Sequence, residues 1–306
     1  MLTMREAILL KVETNKNQDA IPTPALDALL VSDLSISNDR LRMIERPNIK
    51  PTISTDQKIF AGTMKKISFT AEIKGSGTPG TVPEIGQALR CCAVSETISG
   101  VDVVYQPASN AHETCTIYYH QEEKLFKLTG AMGNATINAS GDNFGTVQFE
   151  FTGHDAGEVD QNIPQITYAN TVPKPFIDIA FNIGGYNAII SSISLNFGNE
   201  IVVDSDCSQA SGFGDVRISK RDPNGTIDPL ATTKAINDVN GDLKAGSLLP
   251  LTTGVVGNTA GNQWQLDGNV AYREVAQGER EGSRTNDITI GFHEVATDDE
   301  WTLTFS

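Results

Sequence analysis

Between Lys66 and Lys74 polar and apolar residues alternate without a break. Ile67, Phe69, Ala71 and Ile73 fall on one side of an extended chain, and Lys66, Ser68, Thr70, Glu72 and Lys74 on the other. A period of two held this long describes a strand with one dry and one wet face. Gly75-Ser76-Gly77-Thr78-Pro79-Gly80 then turns the chain. Thr81 is placed to cap a short helix, Pro83 suits its first turn, and Ile85, Ala88, Leu89 and Cys92 recur at i, i+3, i+4 and i+7. That stripe can lie on a sheet.

Gly75, Gly77 and Gly80 also match G-x-G-x-x-G between a strand and a helix, the context of a dinucleotide site. The strand entering such a site is normally apolar on both faces, and this one is wet on one. Pro79 and Pro83 remove amides where a pyrophosphate needs donors. Val101–Tyr105, the next strand, does not begin a second βαβ unit. A surface loop is the better reading.

Lys and Arg number 23 against 38 Asp and Glu, a formal charge of −15 over 306 residues. Gripping DNA or an anionic membrane by its phosphates takes basic patches. This balance opposes that but allows DNA to pass close by. At 39% hydrophobic and 20% charged the chain can build a core. Ala7–Val12, the longest early apolar run, is too short for a signal peptide or membrane span. Cys91, Cys92, Cys115 and Cys207 lack metal spacing and are expected as reduced thiols.

Residues 1–60 carry Pro22, Pro24, Pro47 and Pro51. They read as an N-terminal arm with a first strand at Ala7–Glu13 and an extended segment at Leu29–Ile36. Residues 61–155 read as a β domain, 156–176 as a linker around Pro164 and Pro173-Lys174-Pro175, and 177–306 as a second β domain. Its strands include Ile177–Ile183, Ile190–Phe197 and Asp287–Phe292. Asp222-Pro223-Asn224-Gly225 reads as a turn, and Asp228-Pro229 as the cap of a helix over Leu230–Asn240. The halves look alike. Phe126–Gly130 matches Trp264–Gly268, Val147/Phe149/Phe151 matches Ile288/Ile290/Phe292, and Phe69/Ala71/Ile73 matches Ile193/Leu195/Phe197. Matching elements keep their order, with offsets from 124 (Phe69 to Ile193) to 141 residues (Phe151 to Phe292). A tandem duplication of a β domain with one packed helix is the simplest account.

No catalytic, cofactor or metal site assembles. His112, His120, His154 and His293 are scattered, and G-x-S-x-G is absent. Asp238–Asp242 lacks the spacing and distal Glu of a calcium loop and reads as a helix ending at an Asn-Gly turn. The polar strand faces say more: Ser68, Thr70 and Glu72; Thr146, Gln148 and Glu150; Ser192, Ser194 and Asn196; Asp287 and Thr289. Exposed sheet faces in general look like this. A wall past which polyanionic DNA slides would also be neutral to acidic, repelling the duplex only within the roughly 8 Å screening length of physiological salt.

The segments KISFTAEIKGSGTPGTVPEIGQALRCC, FGDVRISKRDPNGTIDP, GNQWQLDGNVAYREVAQGEREG and DITIGFHEVATDDEWTLTFS make the chain similar to the tail tube (major tail) proteins of long-tailed bacteriophages. The likeness covers most of residues 60–306. It implies a mainly β fold, a tail-tube-type β-sandwich or barrel domain with a flanking α-helix. It further implies a non-enzymatic virion protein that polymerises into stacked rings, the tail tube through which the genome is ejected. Sheets would join side by side around a channel lined by Ser68, Thr70, Glu72, Gln148, Glu150, Ser192, Ser194, Asn196, Asp287 and Thr289. Gly75, Gly77 and Gly80, the Asp204–Gly214 loop and residues 1–60 become candidates for contacts between rings, with Arg217, Lys220 and Arg221 offering charge to acidic neighbours. Partners would be other copies, in trimeric rings if the duplication holds and hexameric rings otherwise, together with terminator, tape measure and baseplate proteins. DNA would pass without specific binding. No cofactor or membrane is implied, and assembly would take place in the host bacterial cytoplasm. A carbohydrate-binding or decoration module of a virion is the alternative. It should present an aromatic platform, for which Trp264, Trp301 and six tyrosines are available.

Overall fold

The computed structural model describes residues 5–306. The fold is mainly β. In the first half lie β1 (Glu6–Val12), β2 (Ala28–Leu29), β3 (Val31–Asp39), β4 (Met43–Ile44), β5 (Ile59–Phe60), β6 (Met64–Glu72), α1 (Gly86–Arg90), β7 (Val94–Ser99), β8 (Asp102–Pro107), β9 (Cys115–Gln121), β10 (Lys124–Ser140) and β11 (Thr146–Asp160). The second half supplies β12 (Asn182–Ile183), β13 (Ser192–Asn196), β14 (Asn199–Ser205), β15 (Phe213–Arg221), β16 (Asn224–Ile227), α2 (Val239–Ala245), β17 (Leu249–Thr252), β18 (Trp264–Arg280), β19 (Ser283–Phe292) and β20 (Trp301–Phe305).

One antiparallel run, β3-β6-β11-β10-β13-β16-β19-β18, crosses both halves. The long strands β10 and β18 each continue beyond it. Past irregularities at Leu128/Ala131, β10 pairs with β9 and through it with β1. The first part of β18 pairs with β20 and β17, and β20 carries β8 and β7. Bulges of this kind bend a strand and let it change layers. The layers then face each other: Phe197, just after β13, lies 4.3 Å from the Trp301 ring of β20, and Phe176 lies 5.8 Å from Trp264.

Between the layers sits the main core, because the alternation in strands such as β6, β11 and β13 sends one parity inward. Phe69, Phe149 and Phe151 stack at 5.3–5.9 Å and are fully buried. Burying one such ring contributes about 1.5–3 kcal/mol relative to leaving it wet. Ala88 and Leu89 of α1 join this core, so the Ile85-Ala88-Leu89-Cys92 stripe is buried as the spacing predicts, although only Gly86–Arg90 is helical. A smaller core of Met64, Met132, Val203, Phe213 and Val216 seats the β14–β15 hairpin at the Met64 end of the sheet.

The first strand and the extended segment expected within residues 1–60 are present as β1, inserted against β9 over seven residue pairs, and as β2 with β3, the partner of β6; Met1–Met4 lie outside the described residues. Other local expectations change. The continuous strand expected over Ile177–Ile183 shrinks to β12, because Asp178 adopts φ 57° and turns Ile177 into solvent. Asn224 and Gly225 belong to β16 rather than to a turn. The second helix is not Leu230–Asn240 but α2. Leu230 bridges to Thr285, while Asp228 accepts the Ser191 and Ser192 amides at 2.8 and 2.9 Å instead of capping a helix. Asp238 caps α2 by accepting from the Gly241 amide, so the Asn-Gly step opens that helix, and Gly246 at φ 62° closes it.

Candidate channel face and end contacts

Register fixes which side chains share the wet face. Glu72, Thr146, Asn138, Ser194, Thr226, Thr289 and Glu274 stand opposite one another across seven strands, from β6 to β18. A second row runs Ser32, Thr70, Gln148, Thr136, Asn196, Asn224, Gly291 and Ala271. A third begins Ser35, Ser68, Glu150, Asn134. The row between the first two is the dry face: Ala71, Val147, Ile137, Leu195, Gly225, Ile290 and Tyr272.

Ser68, Thr70, Glu72, Gln148, Glu150, Ser192, Ser194, Asn196, Asp287 and Thr289 therefore lie on one face of one sheet. Ser192 pairs with Ser140, and Asp287 with Ala276. Residues not singled out from sequence fill the gaps between them. Asn134, Thr136 and Asn138 alternate with Ala135, Ile137 and Ala139 and were readable as a wet face. Asn224 and Thr226 sit in a four-residue strand behind a proline, too short for a periodic signal.

Short hydroxyl and amide groups cross-link this face. Ser35 and Ser68 hydroxyls meet at 2.8 Å, Ser194 and Thr226 at 2.9 Å, and Asn134 donates to Asn196 Oδ1 at 2.9 Å. The three rows hold no lysine or arginine. Cations next to them are matched: Lys66 lies 2.7 Å from Glu150 and Arg273 lies 2.6 Å from Asp222. The Arg273 guanidinium lies over Gly291, where any Cβ would collide with it. Its hydrogen bond to Asp222 holds that carboxyl below its ordinary range. Because Arg273 is neutralised in place, the face is acidic to neutral.

The candidates for ring contacts fall at two opposite ends. Gly75 is buried, and its amide donates to Asn262 Oδ1 at 2.9 Å. Gly77 N–H donates to the Gly261 carbonyl at 2.9 Å and Gly80 N–H to the Val101 carbonyl at 2.7 Å. All three amides are taken, which removes the donors a pyrophosphate would require. Gly77 at φ 88° and the neighbouring Thr78 and Pro79 remain exposed beside the Glu72 end. Arg217 and Arg221 belong to β15 at the Met64 end. Arg217 pairs with Asp204. Arg221, 13% exposed, reaches Glu300 at 2.7 Å and Asp298 at 3.0 Å, so its charge is spent within the chain. Burial opposes ionisation of Asp298, but hydrogen bonds from Ser109 and Arg221 outweigh it and hold the carboxyl low.

Titratable groups in the core are quiet. Cys91, Cys92 and Cys115 are free and buried, and burial pushes the Cys92 and Cys115 thiols well up. Thiols so placed stay protonated and inert. Burial also holds His120 and His154 below the ordinary histidine value.

No curated protein sequence matches the chain significantly. A sequence model of the phage tail tube protein family matches residues 5–293, from the first core strand to the residue after β19, which takes in the whole wet face. By that match, over nearly its full length, the chain belongs to the phage tail tube protein family and is a structural protein of the virion tail.

Proposed function

We propose that the chain polymerises into stacked rings whose joined sheets form a DNA conduit, with the three polar rows facing the lumen. One observation carries this reading. Among the described residues the polar run ends on two open strands: the outer edge of β3, and β18 beyond Ala271, which pairs there with β19 alone. Exposed edges of this length invite pairing with another chain. The run contains eight strands, each antiparallel to the next, so β3 and β18 point in opposite directions. A β18 edge can then meet the β3 edge of a neighbour with antiparallel order kept around a closed ring.

Two similar units per chain favour three chains per ring. β6-β11-β10 and β16-β19-β18 share the same pairing order, and β10 and β18 are both 17 residues long. In this arrangement the partner of β6 is β16 rather than β13, which carries Ile193 and Leu195. Residues 61–155 and 177–306 are then the tandem units, joined through 156–176. DNA passes without specific contacts, and terminator, tape measure and baseplate proteins meet the tube at its ends or lumen. Assembly takes place in the host cytoplasm.

Negative-stain electron microscopy of purified protein across concentration tests this. Hollow tubes with threefold end-on averages are expected. Sixfold averages with one chain per repeat would remove the trimer, and monomers at every concentration, even with the other tail proteins added, would remove the tube.

A further inference from the structure

The two ends of the eight-strand run differ in chemistry. At the Met64 end the β4–β5 hairpin projects from a fixed base. Arg42 N–H donates to the Gly62 carbonyl and Ala61 N–H to the Arg42 carbonyl, both at 2.9 Å. The Arg42 guanidinium lies 4.5 Å from the Phe213 ring centroid and donates to Ser205 Oγ at 2.9 Å. Gly62 packs so closely on the Ser211 carbonyl that no Cβ would fit. Outside this clamp the hairpin is apolar and uncovered. Ile49 and Ile53 are fully exposed, and Ile59 and Phe60 more than half exposed. Lys50 and Asn48 both bind Asp56 and tie the tip together.

The same hairpin is basic in an acidic chain. Residues 40–60 hold five cations (Arg40, Arg42, Arg46, Lys50, Lys58) against Glu45 and Asp56, a net +3 where the whole chain is −15.

At the Glu72 end, segment 174–178 and Gly257–Asn258 enclose a cavity of about 220 Å³. The Phe144–Pro175 bridge ties it to the turn between β10 and β11. In and next to its lining segments Val172, Ile177 and Val255 are 45–72% exposed. Asp178, exposed, and Lys174 line the cavity itself, and Asp142 stands exposed on the turn that the Phe144–Pro175 bridge ties to it.

We infer that the hairpin tip carrying Ile49 and Ile53 seats in the Pro175–Ile177/Gly257 cavity of a second copy in the adjoining ring. This rests on the tube reading and adds the surface that receives the hairpin. The apolar tip meets the Pro175 and Ile177 side of the hollow, and a +3 segment meets the exposed carboxylates of Asp142 and Asp178. Because knob and hollow lie at opposite ends of one molecule, the contact is heterologous and repeats without closing on itself, which generates a filament. Seven residues on each leg of the 45–58 loop span at most about 23 Å, enough to pass beyond the end of its own sheet.

The test uses full-length protein with Cys207→Ser, which removes the exposed native thiol. Ile53→Cys and Ile177→Cys are introduced together, tubes are assembled and then oxidised. Each chain carries both partners, so non-reducing electrophoresis should show a ladder well beyond the ring size, absent from either single variant. Ile49→Asp with Ile53→Asp, both at exposed positions, should leave free rings and no tubes. Intact tubes without a ladder, or tubes formed by the double Asp variant, overturn this contact and leave the tube reading standing. Failure of wild-type protein to form rings or tubes overturns both.

Discussion

The Gly75 amide and the Asn262 side chain, 187 residues apart, meet in a buried hydrogen bond of 2.9 Å. Asn262 also donates to the Val172 carbonyl at 2.9 Å, so one side chain holds the glycine loop, the segment before β12 and the approach to β18 together. Gly261 presses on the same loop, where a Cβ would stand 2.6 Å from the Thr78 nitrogen. Asn262→Ala leaves the buried Gly75 amide unmet, at a cost of about 1–3 kcal/mol. A lowered urea midpoint with an unchanged slope is expected. An unchanged midpoint would mean that water replaces the side chain.

How much of this was legible in the sequence depends on the length of each strand. Lys66–Glu72 and Thr146–Phe151 declare both faces, because alternation held over six or seven residues has no rival reading; Lys74, read as wet, lies past the end of β6, where it is buried and reaches Glu84 at 3.2 Å. Asn224–Ile227 could not declare itself: Asp222-Pro223-Asn224-Gly225 is good turn chemistry, and only pairing with β13 and β19 makes Gly225 a strand residue. Ile177–Ile183 erred the other way. Its alternation was correct for Phe181 and Ile183, but a left-handed Asp178 breaks it, and no local signal marks that residue. The open edges of β3 and β18, which carry the functional reading, are properties of sheet order and leave no trace in either strand alone.

Gly225 occupies the dry row between Leu195 and Ile290, and a Cβ there would collide with the Ser194 carbonyl. No side-chain rotation relieves a clash with backbone, so β13 and β16 must separate. Gly225→Ala should lose at least about 1–3 kcal/mol, the range for overpacking. The Ser194–Thr226 hydroxyl pair would open at the same time. Thermal unfolding reads the loss directly, and a variant as stable as wild type would show that β16 is free to shift.

His120 is almost fully buried on β9, and burial lowers its affinity for a proton, as it does for His154. An unfolded histidine titrates near about 6.5. Below that value the unfolded chain takes up protons that the folded chain refuses, so stability is full above it and declines as the pH falls. Carboxylates add their own losses at lower pH, and a difference between variants separates the two. Between pH 7 and 5.5 His120→Gln should lose less stability than wild type, whatever its starting value. Parallel losses would assign the acid sensitivity elsewhere.

Thr226 stands inside the row that ends in Glu72 and Glu274, and its neighbours Ser194 and Thr289 are uncharged. Thr226→Lys places an unmatched cation on a face whose other cations are paired with carboxylates. The chain already exposes this position, so folding and assembly should be unaffected. What should change is contact with DNA. Each ring would present one new charge per chain, repeated along the lumen, to a duplex carrying one phosphate per about 1.7 Å. Assembled Thr226→Lys tubes should retain short duplex DNA at low salt and release it steeply as salt rises, while wild-type tubes and Thr226→Gln tubes retain none. Retention by wild-type tubes would show that the acidic face is not what DNA meets. Equal indifference of the lysine tubes would place this face outside the lumen.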